Sequence, residues 1–315
     1  MRVVPASFEI LTDLDQQSMA TRIEACGRIC YKSEDKITEQ SAGPFITNIL
    51  KRKHNSVAEM AVLTLKVTLD DPEKVSELYS CIPKYFSVDQ LDDALLLTGS
   101  VRAFRELYIF NPQVDLVQAI TVYLSGRHPL FFKDLVPEQG WPQADNGVRA
   151  EKISLEQVEK LEPKLLARHR HLAVKFITNR AVTHEIVRHR PCAYLQESQR
   201  YCRYDKEQFG NEVTFIKPMF FAEGSPEYAL WEKAMADTES IYLDLLKTSS
   251  PQAARTVLPN SCKTEIVVYT SLDQWHHIFK LRTPGAAEPS MREVMIPLLA
   301  EFNTMYPAIF SDLTE

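Results

Sequence analysis

RHRPCAYLQESQRY, Arg188–Tyr201, is the most chemically loaded stretch of this 315-residue chain. Arg188, Arg190 and Arg200 carry planar donor sets that match phosphate and pyrophosphate oxygens. Burying such a group without an anion carries a large desolvation penalty. The surrounding segment 168–203 holds eight Lys/Arg against Glu185 and Glu197, a local excess of +6 in a chain whose formal net charge is −6. Four of the eight histidines, His169, His171, His184 and His189, lie in it as well. Arg255, after Ser250-Pro251, and Arg282, which ends His276-His277-Ile-Phe-Lys-Leu-Arg, are candidates to join the cluster. The pattern implies one or more phosphorylated ligands, with surface salt bridges to distant carboxylates as the alternative.

Outward from this stretch, hydrophobic periodicity sets the elements. Residues 172–187, TEIVVYT at 264–270 and MAVLTLKVTL at 60–69 read as strands of one sheet. Helices are expected over 16–31, with Met19, Ile23, Cys26, Ile29 and Cys30 on one face, over 44–53 and across 71–110. Ser225-Pro226 signals another helix start, with Leu230, Met235, Ile241 and Leu245 facing inward. Ser271 and Gln274 form a capping box for a helix to Arg282, and a last helix from Pro289 carries Met291, Met295, Leu298, Phe302 and Met305. Residues 111–165 are the least periodic and read as loop-rich. The expectation is an α+β fold, a central sheet with flanking helices, in a single domain over residues 1–315.

Composition excludes several classes. Glycine is scarce, 9 residues in all, against a usual share of about 7%, and neither the P-loop nor the dinucleotide-binding glycine pattern occurs. The acidic balance gives no basic field for nucleic acid and no polybasic tail for membranes. No signal peptide and no apolar run of about 18 residues is present. Six cysteines without a C-x-x-C pattern argue against a disulfide framework. His276 and His277 point about 100° apart on a helix, so no metal site is expected. The chain reads as cytoplasmic.

Arg188-His-Arg, seven residues, Ser198, Gln199, Arg200 and Tyr201 resemble the signature of the flavin-dependent thymidylate synthases, the ThyX type. His54-Asn-Ser56-x-x-Glu59 resembles the family's upstream element, Ala254-Arg255-x-x-Leu258-Pro259 its Ala-Arg element, and Phe279-Lys-Leu-Arg282 with Ala287 and Arg292 its C-terminal helix. The likeness covers about 20–70 and 170–310, leaving about 70–165 as a family-variable insertion. It implies reductive C5 methylation of dUMP to dTMP, with methylene from 5,10-methylenetetrahydrofolate and FAD reduced by NADPH, in a homotetramer with sites between subunits. By the same resemblance Ser56, Arg188, His189, Arg190, Gln196 and His277 would contact FAD. Glu185, Ser198, Arg200 and Arg255 would hold dUMP, with Glu185 where the family often has Gln. Arg282 would be catalytic, beside the pyrimidine edge, stabilising charge as the ring ionises.

The chain departs from the pattern at Ala193 and Leu195, and has Ser271-Leu-Asp273 where the family commonly has Asn-x-Arg. Arg102 and Arg105 are candidates to replace the missing guanidinium. Two other readings stand beside the first: a similar enzyme acting on another pyrimidine nucleotide such as UMP, and a non-catalytic nucleotide- or RNA-binding protein. Cys192 beside Arg190 is a candidate thiolate nucleophile, with a small buried hydrophobe as its alternative.

Overall fold

KTEIVVYTS alternates along a strand, yet both of its sides are apolar, the pattern of a strand covered on two faces. The computed structural model describes residues 1–52, 54–81, 85–138, 147–205 and 210–313; the expected helix end at Lys53 lies outside them. Its strands are β1 (Arg2–Val4), β2 (Ser7–Ile10), β3 (Val62–Leu69), β4 (Ser87–Gln90), β5 (Leu95–Ser100), β6 (Val148–Ile153), β7 (His171–Asn179), β8 (Ala193–Gln196), β9 (Thr214–Ile216) and β10 (Lys263–Ser271). β10 pairs antiparallel with β7 from Lys263↔Asn179 to Ser271↔His171, and with β8 on its other edge. The resulting sheet has the order β2-β7-β10-β8.

Leu172, Val174, Phe176, Ile266 and Val268 pack on one side of that sheet with Trp275 and Phe279 of helix Leu272–Arg282 and Met295 and Phe302 of helix Pro289–Met305. Ala173, Leu195, Val267 and Tyr269 pack on the other with Ile23 and Cys26 of helix Met19–Ile29 and with the second sheet. Each fully buried side chain of this size contributes about 1.5–3 kcal/mol. In the same layer Arg22 and Arg170, both buried, share the carboxylate of Asp15, and Arg22 lies 4.9 Å from the centroid of the Tyr269 ring.

The strands expected in a single sheet fall in two of the three sheets among the described residues, the third being the β1–β9 pair. β3 pairs with β5 and β6 in a separate sheet of order β4-β5-β3-β6 and has no ladder to β7 or β10. Residues 71–110 are not helical throughout: helix Pro72–Cys81 gives way to the β4–β5 hairpin and then to helix Val101–Phe110. Leu95-Leu96-Leu97 fits a buried strand as well as a helix turn by periodicity. The Leu91 N–H to Ala94 carbonyl bond of 2.8 Å closes the hairpin, and Ser100 Oγ accepts from Ala103 N–H to start the helix. Within 111–165, helix Asp115–Arg127 and β6 replace the expected loops.

The strand expected over 172–187 ends at Asn179, whose Oδ1 accepts from Val182 N–H and nucleates helix Arg180–Ile186. Helix Pro226–Thr248 buries Tyr228, Met235, Tyr242 and Leu246, while Leu230 and Ile241 face outward. Its inner face is set by two tyrosines, and Tyr242 packs 5.8 Å from Tyr204. Met305 is likewise exposed. Among the described residues no helix is long and apolar enough to cross a membrane.

Candidate active site

The motif begins where helix Arg180–Ile186 unwinds. Arg188 N–H donates to Glu185 O and His189 N–H to Ile186 O, both at 3.2 Å, so a loosening turn carries the chain to Pro191 and into β8. Two hydroxyls pin this loop. Tyr194 Oη lies 2.8 Å from the carbonyls of both Ile186 and His189, and Thr270 Oγ1 donates to Pro191 O at 3.0 Å. Tyr194 thus ties the end of the helix to the loop through its hydroxyl.

His189 is buried behind it. Its Nε2 accepts from Arg282 Nε at 2.8 Å, and His277 meets it edge-on at 6.1 Å. Burial, then the charges of Arg282 and His277, pushes His189 down to about 4. A neutral imidazole accepting at Nε2 carries its proton on Nδ1. Arg282 also donates from Nη1 to Glu185 Oε2 at 2.6 Å and from Nη2 to Glu185 O at 3.3 Å. Three of its five N–H donors are engaged, and Glu185 and Arg282 together line a depression of about 520 Å³. Glu185, His189, His277 and Arg282 are therefore brought together by the junction of two helices.

Arg190 stands at a different opening. It lines a cleft of about 370 Å³ whose facing wall includes Tyr85, Phe86, Arg102 and Glu106. Ala193 and Ser271 line the same cleft, while Asp273 is exposed. Exposed Ser56 lines a third depression, of about 410 Å³, with His54, Arg102 and Leu195. Arg102 belongs to both of these walls, held by Glu59 and Glu106 at 2.6 Å each. Arg105 is instead spent on Asp134 and the Phe131 carbonyl. Nothing in GSVRAFREL distinguishes these two arginines; the hairpin ahead of their helix does.

Gln196 donates its amide to Thr183 Oγ1 at 3.0 Å and Thr264 Oγ1 at 3.2 Å and is not among the residues lining the Arg190 cleft. Ser198 follows β8, and its Oγ accepts from Arg200 N–H at 3.3 Å. Arg255 is exposed after helix Pro251–Ala254. Ser56, the pair His189 and Arg190, and the pair Glu185 and Arg282 thus line three separate depressions of one chain.

The charge excess of 168–203 is partly internal. Arg168 pairs with Asp89, Arg170 with Asp15 and Glu159, Lys175 with Glu9, and Arg203 with Asp205. Exposed Arg188, Arg190, Arg200 and Arg255 form no ion pair with a carboxylate among the described residues. Burial pushes the Cys192 thiol above its ordinary value, which favours the small buried hydrophobe over the thiolate. His276 contacts Asp312 at 3.0 Å, and no group of three metal-ligating side chains occurs among the described residues.

Comparison with known proteins gives a consistent family. A family model described as thymidylate synthase complementing protein matches residues 13–70 and 143–308. A flavin-dependent thymidylate synthase of Pyrococcus furiosus is 35% identical over 160 residues, 48% of this chain and 65% of that protein. One from Corynebacterium efficiens is 29% identical over 150 residues, 42% of this chain and 58% of that protein. The matched stretch thus spans less than two thirds of these relatives. A solved structure of the UMP/dUMP methylase PolB from Streptomyces cacaoi, bound with 5-Br dUMP, is similar with a TM-score of 0.40 and 17% identity, over 47% of this chain and 72% of that one.

Proposed function

The chain belongs to the thymidylate synthase complementing protein family, and from that premise we propose that it is a flavin-dependent thymidylate synthase, methylating C5 of dUMP with 5,10-methylenetetrahydrofolate and NADPH. The observation that carries the reading is a set of exposed arginines, Arg188, Arg190, Arg200 and Arg255, without carboxylate partners among the described residues, together with Arg282 held against a neutral histidine. The donor set suits FAD: guanidiniums at 188 and 190 for the pyrophosphate, with the Ser56 hydroxyl and His277 as further contacts, and Gln196 supporting the wall through the sheet. The bound flavin supplies the reducing equivalents.

Arg200, Arg255 and Ser198 bind the nucleotide phosphate. Arg282 turns its two spare N–H donors toward the pyrimidine edge, where a guanidinium stabilises negative charge spreading from C5. Glu185 keeps that guanidinium oriented, and neutral His189 adds no second cation that would repel it. Residues 71–142 fall outside the family match; we read about 70–165 as the family-variable insertion of a single-domain chain. The separation of Ser56, Arg190 and Arg282 into distinct depressions favours a homotetramer whose subunits complete one another's sites.

The purified protein is expected to show a visible flavin spectrum, on isolation or after reconstitution with FAD, and to release tritium from 5-labelled dUMP. Release from UMP instead of dUMP would move the substrate to the ribonucleotide. Buried apolar Ala193 and Leu195, where the family is polar, make that comparison necessary. A protein that takes up no flavin and binds RNA in a salt-dependent way refutes the proposal.

A further inference from the structure

Glu197, the residue before Ser198, is a carboxylate 2% exposed, and all of its hydrogen-bonding groups are committed. Its N–H extends the β8–β10 pairing by donating to Glu265 O at 2.8 Å, and its carbonyl accepts from Arg180 Nη2 at 3.3 Å. Lys263 Nζ holds Oε2 at 2.9 Å, and Tyr204 Oη donates to Oε1 at 3.0 Å. Lys263 and Lys32 both reach Glu265 at 2.5 Å, so the charges alternate Lys32, Glu265, Lys263, Glu197. Burial opposes the charge on Lys263, yet Glu197 and Glu265 hold it above its ordinary range, and burial and Glu197 push the Tyr204 phenol well up.

The contact from Tyr204 to Glu197 closes residues 198–203 on themselves. Inside that closure Ser198 N–H donates to Cys30 O at 3.0 Å, and Tyr201 and Cys202 N–H donate back to Ser198 O at 3.1 and 2.9 Å. Tyr31 packs on Tyr201 at 5.3 Å. The turn is held by the Glu197 network, by the end of helix Met19–Ile29 and by the packing of Cys202 and Tyr204 in one core cluster with Met235 and Tyr242 of helix Pro226–Thr248, while exposed Arg200 contributes its backbone N–H and a contact 5.6 Å from the Tyr201 ring.

We infer that Glu197, closed by Tyr204 and anchored by Lys263, is a positioning residue that presents Ser198 and Arg200 to the phosphate of a pyrimidine nucleotide; the inference rests on the function proposed above. Neither Glu197 nor Tyr204 touches the ligand, so their effect falls on nucleotide binding and not on the chemical step.

The test uses the full chain with Tyr204→Phe and Glu197→Gln, dUMP titration by calorimetry, amide hydrogen exchange at residues 198–202, thermal midpoint and kinetics. Gln at 197 keeps an acceptor for Tyr204 but turns an amide toward Lys263, so both variants loosen the same turn. Expected for Tyr204→Phe are exchange about tenfold faster at Ser198, Tyr201 and Cys202, dUMP binding and KM weakened about tenfold, and an unchanged kcat and flavin spectrum. Unchanged exchange and affinity in both variants overturn the inference. Flavin and dUMP binding lost together with a lowered midpoint also overturn it, because the role is then general folding. Wild-type protein that binds no dUMP refutes the parent function, a result visible before any variant is compared, and removes the inference with it.

Discussion

Arg282→Gln should raise the pKa of His189. The drop from 6.5 to about 4 corresponds to about 3 kcal/mol against the protonated ring. Burial is its first cause and remains in the variant; the Arg282 charge is the second and is removed. Unit charges about 4 Å apart interact by about 4 kcal/mol at an effective dielectric of about 20 and by about 1 kcal/mol in bulk water. His189 is 6% exposed and the Arg282 side chain 17%, an intermediate case; as the second cause after burial, the Arg282 charge carries less than half of the drop, about 1.4 kcal/mol or about 1 pH unit. His189 in the variant should therefore titrate at about 5, still below 6.5 because the ring stays buried.

The assay is the pH dependence of the His189 imidazole proton resonance. Stability gives an independent check. Between pH 6.5 and about 4 the unfolded chain binds a proton at this site and the folded chain does not, so stability is present above that window and falls as pH drops through it. His128 and His171, pushed down to about 4 by burial, add to the same slope in both proteins. Arg282→Gln should flatten the decline by the His189 share. A midpoint left near 4 in the variant, or one above 6 in the wild type, refutes the reasoning about this contact.

Asp15→Asn leaves two buried guanidiniums without their shared carboxylate and should cost about 3–5 kcal/mol in urea unfolding. Arg200→Ala removes an exposed side chain that pairs with no described carboxylate; its unfolding free energy should stay within about 0.5 kcal/mol of wild type while calorimetry shows dUMP affinity lowered at least tenfold. Gly147 has φ +61°, and a Cβ there would meet the Asp70 carboxylate at 1.7 Å. Gly147→Ala should therefore destabilise by more than about 1 kcal/mol in thermal unfolding, with no change in flavin uptake if this turn is remote from the site.

The candidate chemistry could be read from sequence because it depends on residue type and short spacing. Arg188, His189 and Arg190 are consecutive, and the alternation in TEIVVYT states its two buried faces without help from the rest of the chain. The α+β character and the C-terminal helices follow from patterns within about ten residues. What failed depended on partners far away in sequence. Leu95-Leu96-Leu97 becomes a strand because β3 and β4 flank it. Residues 60–69 join a second sheet for the same reason, and helix Pro226–Thr248 turns Tyr228 and Tyr242 inward, Tyr242 against Tyr204, which follows the motif.

Charge bookkeeping divides the same way. Composition counted eight basic residues between 168 and 203, but only the fold could bring Asp15, Asp89 and Glu159 from elsewhere in the chain to neutralise some of them and leave Arg188, Arg190 and Arg200 without a carboxylate partner among the described residues. Tertiary structure likewise put Arg102 on the walls of two depressions, tied Arg105 to Asp134 and set Arg282 on His189. Amino-acid identity determines which groups can bind an anion or carry a proton; distance and burial, which exist only after folding, determine which of them do.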